Sequence, residues 1–127
     1  ESTSQGYISY DLRSQDTKNR QSSHDDMPEE LKEEFWADQA EVWEKSSSLY
    51  EKWLSRGAAK ECARFLLPLN TSTKIYMAGS LRSWLHYLEV RTSPETQLEH
   101  REIAEACKLL LAKEMPMIFK GVIDDAT

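Results

Sequence analysis

Residues 64–91 read RFLLPLNTSTKIYMAGSLRSWLHYLEVR, and the interpretation of this stretch governs that of the whole chain. It holds Arg64, Arg82, Arg91 and His86, interleaved with Tyr76, Trp84 and Tyr87, more cationic and aromatic side chain than a solvated surface needs. Arginine is the usual means of gripping phosphate or carboxylate, because its planar fork pairs two oxygens at once. Aromatic rings beside it suit a planar ligand, so the pattern points to a nucleotide or flavin site. Locally, AAKECARFLL predicts a short helix over 58–67 that Pro68 stops. The β-branched and aromatic run that follows predicts a strand near 72–78. Gly79-Ser80 breaks it, and Ser80 is the expected N-cap of a helix over 81–91.

Successive residues of that helix turn by about 100°. Arg82, His86 and Glu89 share one side, while Leu81, Leu85 and Leu88 spread over the other half with Trp84. Arg91 lies nearly opposite Arg82. One regular helix cannot aim both arginines at one small ligand unless the ligand wraps around its end. Either two ligands are bound, or different subunits each see a different face. Blander roles compete at each position: an ion pair with Glu61 for Arg64, a buried hydrogen-bonding histidine for His86, and simple capping plus a surface cation for Ser80 and Arg82.

Upstream, Asp26-Met27-Pro28-Glu29-Glu30 is a helix start, with proline tolerated in the first turn and acids opposing the helix dipole. Leu31, Phe35, Val42, Leu49 and Trp53, with Trp36, Trp43, Tyr50 and Leu54 beside them, form a wide apolar stripe on a helix of roughly 25 residues within 28–56. The seven-residue spacing of large side chains suggests packing against another helix, as core or subunit interface. Arg56-Gly57 ends it, glycine supplying a left-handed cap. Downstream, Thr92-Ser93-Pro94 closes the 81–91 helix, and a last helix runs over 95–114 with Leu98, Ile103, Cys107, Leu110 and Leu111 expected on its inner face. Pro116 interrupts, and 117–123 can add a short amphipathic turn. Residues 1–27 are polar and irregular. QGYISYDL alternates well enough for a short extended piece, and RSQDTKNRQSSHDD at 13–26 reads as a loop, either solvated or ligand-binding.

The fold class expected is α+β, predominantly helical with one or two short strands, in a single domain over 1–127: a loop at 1–27, the long helix at 28–56 and a ligand-binding helical core at 57–123. At 127 residues the chain can bury a modest core. A net charge of −6 argues against general nucleic-acid binding, which needs a basic footprint. With 30% charged residues, a mean hydropathy of −0.67 and no long apolar run, no membrane span is predicted. The polar start reads as no signal peptide, and a cytoplasmic location is expected. Cys62 and Cys107 are expected to be small buried hydrophobes, since neither has a CxxC partner or a nearby histidine. His24, His86 and His100 are scattered, and no metal site is expected. The acids Glu29, Glu30, Glu33, Glu34, Glu99, Glu102 and Glu105 would permit Mg²⁺ in an all-α nucleotide pyrophosphohydrolase, but they read better as solvated faces.

Over 64–103 the sequence resembles the flavin-dependent thymidylate synthases of the ThyX type. The family pattern runs from an arginine before an apolar-Leu-Pro step, through a strand, to Asn-x-Arg-Ser-x-x-His-[Phe/Tyr], an arginine and Gln-x-Glu. Here it stands as Arg64-Phe65-Leu66-Leu67-Pro68, then Ser80-Leu81-Arg82-Ser83-Trp84-Leu85-His86-Tyr87, then Arg91, then Gln97-Leu98-Glu99. RSQDTKNRQSS at 13–23 is similar to the RxQDxKNRQxS stretch of the cyanobacterial and phage-like branch. Ser80 stands where many members have Asn. The RHRxxSxNExSxRY hallmark is absent save for a tail resembling its end, in which Ser4 and Tyr7 match and Gly6 replaces an arginine; a slipped register would instead match Glu1 to the hallmark glutamate.

The resemblance implies that this chain corresponds to the C-terminal part of a synthase, without the N-terminal half. It implies a homotetramer with sites shared between subunits. It assigns Ser4, Arg64 and Arg91 to dUMP, with Arg91 acting in catalysis, and Ser80, Arg82 and His86 to FAD. NADPH and methylenetetrahydrofolate would be co-substrates in making dTMP. Lacking the hallmark arginines, the chain alone is expected to be impaired or inactive. The alternatives are a non-catalytic helical oligomerisation module and the pyrophosphohydrolase.

Overall fold

A computed structural model describes residues 6–20 and 22–119, so Ser4 lies outside the described residues. The elements are β1 (Ser14–Gln15), β2 (Ser23–His24), α1 (Glu29–Ser55), α2 (Lys60–Ala63), a 3-10 turn at Arg64–Leu66, α3 (Leu81–Arg91) and α4 (Leu98–Glu114). The mostly helical α+β class expected is the one found, its sheet being the two-stranded antiparallel pair β1–β2. The chain falls into two compact units, residues 1–14 with 24–76, and residues 15–23 with 77–127.

The first unit is organised by α1. Pro28 occupies its N-cap position and Glu29 and Glu30 its first turn. Its C-terminus is closed by the expected glycine: Gly57 has φ +86°, its N–H donates to Leu54 O at 3.0 Å, and the Ala58 N–H reaches Trp53 O at 3.0 Å. These two bonds satisfy carbonyls that the helix end would leave orphaned.

The apolar stripe divides. Trp36, Trp43, Leu49, Tyr50 and Leu54 turn inward, with Tyr50 buried, whereas Leu31, Phe35, Val42 and Trp53 stay exposed. Gln39 lies on the inward row and acts as a surrogate peptide. Its Nε2 donates to Tyr10 O at 2.8 Å, and its Oε1 accepts from Tyr10 N–H at 2.9 Å. Tyr7 stacks on Trp43 with ring centroids 5.6 Å apart and pairs with Thr71 in an isolated antiparallel bridge. Ile8 N–H donates to Asn70 O, and Ser72 N–H to Gly6 O, both at 2.9 Å.

That bridge is as far as pairing goes. The strand expected over 72–78 is not formed: beyond Ser72 the backbone runs unpaired among the described residues, with Ile75, Tyr76 and Met77 exposed. Composition favours extended backbone there, but a strand needs a second row of donors and acceptors, and only the 6–8 segment supplies one, at the upstream end.

The second unit is an αα-hairpin of α3 and α4 joined by residues 92–97. Ser80 caps α3 as expected, its hydroxyl accepting from Ser83 N–H at 3.2 Å. Leu88, Ala112 and Phe119 form the core, with Leu81, Leu85, Tyr87, Cys107 and Leu111 packed against it. The inner face of α4 differs from expectation. Ala104 and Ala112 are its buried residues, while Ile103 and Leu110 point outward. Small side chains let the two helices approach closely; Cys107 and Leu111 pack against the core as expected, and Ile103 and Leu110 are left on the far side. Cys62 also departs from expectation: it is exposed, because Ala63 takes the buried position of the single-turn α2. Cys107 is half-buried, against the core.

Candidate functional site

α3 carries the polar residues that the sequence singles out. Ser80 precedes its first turn, and Arg82 and His86 follow on one exposed face, four residues or about 6 Å of helix rise apart. Leu81, Trp84, Leu85 and Leu88 turn the other way, Leu88 fully buried, which orients the polar face outward. Ser80 Oγ is already engaged: besides the cap bond it lies 2.9 Å from Ser83 Oγ. One hydroxyl retains further hydrogen-bonding capacity after those contacts, but its first task is to start the helix.

His86 is exposed, and the histidine that makes a part-buried hydrogen bond is His100, whose Nε2 is 3.0 Å from the Tyr87 hydroxyl. Trp84 meets Tyr87 edge to face at 5.5 Å, tying that ring to the α3 surface. A guanidinium and an imidazole on one open face, beside a helix start, form a donor set able to hold the anionic and polar-edge groups of a flavin nucleotide.

Arg91 ends α3 on the side nearly opposite Arg82, where a cation also complements the helix dipole. It lines a cleft of about 780 Å³ within the second unit. Arg20, Glu89 and Glu95 bring further charge to this cleft, and Thr96 and Gln97 add polar groups. Its floor is a well-defined turn: Thr92 Oγ1 donates to Leu88 O at 2.7 Å, Thr96 N–H to Ser93 O at 2.9 Å, and Arg101 Nη1 to Pro94 O at 3.0 Å. Gln97 is the N-cap of α4 and makes no side-chain cap bond. Among the described residues, Arg91 and Arg20 make no ion pair. Arg20 belongs to the family-like stretch 13–23, but the sequence alone assigns it no role. It sits in the stretch read as a loop, and only the folded hairpin brings it to Arg91.

Arg64 opens the 3-10 turn of the first unit, exposed and without an ion pair to Glu61. Ser80, Arg82 and His86 are thus gathered on one face, Arg91 is set apart from them on the same helix, and Arg64 belongs to the other unit.

Comparison with known proteins decides the lineage. Residues 1–117 match the model of the family described as thymidylate synthase complementing protein. The chain is 54% identical over 112 residues to a flavin-dependent thymidylate synthase of Synechocystis sp., covering 88% of this chain and 52% of that protein. The chain belongs to the flavin-dependent thymidylate synthase family. A second member, the probable flavin-dependent thymidylate synthase of Paramecium bursaria Chlorella virus 1, is 50% identical over 114 residues, covering 89% of this chain and 52% of the relative. A more distant one, from Thermus thermophilus, is 33% identical over 106 residues, covering 84% and 38%. The chain spans about half the length of the first two of these thymidylate synthases. No helix among the described residues is long and apolar enough to cross a membrane.

Proposed function

We propose that this chain contributes dUMP and FAD contacts to a flavin-dependent thymidylate synthase that makes dTMP from dUMP, with methylenetetrahydrofolate and NADPH. The observation that supports this reading is the division of α3: Arg82 and His86 on one exposed face, and Arg91, nearly opposite Arg82 around the helix, on a cleft at its C-terminal end. Two ligands approaching one helix from two sides require this arrangement, and a single small ligand does not. Arg82 and His86, with Ser80, would hold FAD. Arg64, Arg91 and Ser4 would hold dUMP.

Bound flavin would supply the redox chemistry, relaying the reducing equivalents of NADPH. The chain's own part is binding and electrostatics. Arg91 and Arg64 neutralise the phosphate and fix the nucleotide, and Arg91 opposes negative charge developing on the uracil ring. No protein nucleophile is invoked. The exposed apolar row on α1, Leu31, Phe35, Val42 and Trp53, supports assembly into an oligomer, a homotetramer by family likeness, in which neighbouring protomers complete the sites.

By itself the chain is expected to be impaired or inactive as a synthase. The test is the visible absorbance of the purified chain titrated with FAD, with and without dUMP, alongside light scattering. Flavin retained through Arg82 and lost in Arg82→Ala supports the reading. An oligomer with no flavin affinity would instead support a non-catalytic assembly module, and Mg²⁺-dependent pyrophosphate release from dUTP would support the pyrophosphohydrolase.

A further inference from the structure

The exposed apolar row on α1 carries more detail than a general stickiness needs. At about 100° per residue, Leu31, Phe35, Val42 and Trp53 fall within about 40° of one another, so they form one row from the first turn to the last. Their exposure runs from 37% at Phe35 to 50% at Val42. Towards its N-terminal end the row opens into an apolar groove of about 360 Å³, walled by Phe35, Val42, Tyr10 and Leu69, with Asp38 on its lining. Towards its C-terminal end stands Trp53. The Arg56 guanidinium carbon lies 5.4 Å from the Trp53 ring centroid, and Lys52 Nζ lies 6.0 Å from it.

One edge of the row changes sign midway. Glu34, Asp38 and Glu41 come first along it, then Lys45, Lys52 and Arg56. All six are exposed, and among the described residues none is in an ion pair. A second copy laid parallel would set the acidic half level with the acidic half and Trp53 level with Trp53, leaving the groove empty. Laid antiparallel about a two-fold axis, the edge meets itself reversed. Lys45 is midway between Asp38 and Lys52, and Glu44 is midway between Phe35 and Trp53. One register therefore brings acids to cations and tryptophan to groove, twice over. We propose that two copies of this chain pair antiparallel along α1, with Trp53 of each seated in the Phe35–Val42 groove of the other and Asp38 of each facing Lys52 of the other. A tryptophan in an apolar pocket, rimmed by charge pairs, is what a small interface draws most of its affinity from. A segment of another protein could fill the groove, but only a copy of the same helix carries the reversed charges by construction. The pairing deepens the assembly read from this row and needs neither dUMP nor FAD, so either can fail without the other.

The experiment is analytical ultracentrifugation of the full 127-residue chain over a range of concentrations, beside Trp53→Ala, Asp38→Lys and Lys52→Glu. Asp38 and Lys52 are exposed, and lysine and glutamate both favour helix, so the charge reversals leave α1 intact. Trp53→Ala should weaken self-association about thirtyfold or more. Either reversal alone sets like charges at both symmetric contacts and should weaken association about tenfold for each contact. The two reversed chains, mixed one to one, should associate as the unsubstituted chain does, because every contact then pairs a lysine with an acid. A chain carrying both reversals should recover for the same reason. A chain that stays monomeric at millimolar concentration overturns the pairing, and so does an oligomer that Trp53→Ala leaves unchanged. Single reversals that weaken association with no recovery in the mixture would mean a copy in another orientation, or another occupant of the row, and overturn it too.

Discussion

Replacing Gln39 by leucine should release the segment around Tyr7–Tyr10 from α1 while leaving the helix itself in place. The Gln39 amide exchanges two hydrogen bonds with the Tyr10 backbone, at 2.8 and 2.9 Å, and its Oε1 lies 3.3 Å from Asn70 Nδ2. Asn70 in turn donates to Ile8 O at 3.0 Å. Leucine keeps most of the volume and removes both bonds to Tyr10. At about 1 kcal/mol net for each part-buried bond, the loss is about 2 kcal/mol, which corresponds to about a thirtyfold change in an opening equilibrium. Native-state amide hydrogen exchange reads it at Ile8 and Ser72, whose own partners, Asn70 O and Gly6 O, the substitution does not touch. Both should exchange about thirtyfold faster in Gln39→Leu, with mid-α1 amides little altered. Unchanged protection at Ile8 and Ser72 would refute the reasoning, because Tyr7 stacking and the Thr71 bridge would then hold the segment without the glutamine.

Three further outcomes are expected. Gly57→Ala should destabilise the first unit by about 1 kcal/mol from backbone strain alone. Gly57 has φ +86° and an added Cβ would meet nothing within 4 Å, whereas Gly79→Ala, with a Cβ 3.6 Å from Trp84 Nε1 and no positive φ, should have a smaller effect; urea unfolding compares the two. Leu88→Ala should cost about 3 kcal/mol as a core truncation, lowering the urea midpoint by roughly 1.5 M. The Asp25–Lys32 pair, 2.6 Å apart, makes the third. The hydrogen bond from Lys32, then its charge, lowers the Asp25 pKa below 3.8, and the bond to Asp25 raises that of Lys32 above 10.5. A lowered carboxylate contributes above its unfolded pKa and loses that contribution as pH falls through the folded one. A raised ammonium does the reverse. The pair should therefore persist between these limits, break at either end and weaken with salt, as NMR titration of the Asp25 carboxyl with and without Lys32→Met would show.

The parts of the fold legible in the sequence are those set by neighbours along the chain. α1 shows in its apolar spacing and acidic first turn, its end in Gly57, and the start of α3 in Ser80 four residues before Trp84. What escaped depends on distant partners. Residues 72–78 have the composition of a strand, but a ladder is decided by what lies alongside. Gln39 looks like any surface glutamine until Tyr10, 29 positions away, folds against it. On α4, ranking residues by hydrophobicity favours Ile103 and Leu110, whereas close helix approach selects Ala104 and Ala112. For the candidate site, the motif residues on α3 stood out because arginine, histidine and aromatics recur there at helical intervals. Arg20 lies in the family-like stretch 13–23, but an arginine in a polar loop carries no period from which to read a role, and Cys62 was misplaced because a one-turn helix has no face to read.

α3 is a rod of eleven residues bearing Arg82 near one end and Arg91 at the other. Under the proposed assignment, rolling it to bring one guanidinium closer to its ligand would swing the other through the same angle, away from or toward its own. Leu88, pinned in the core between them, sets that roll. Any substitution that lets the axle slip should therefore detune grip at both ends together, and evolution could adjust one affinity independently only by changing what surrounds the rod.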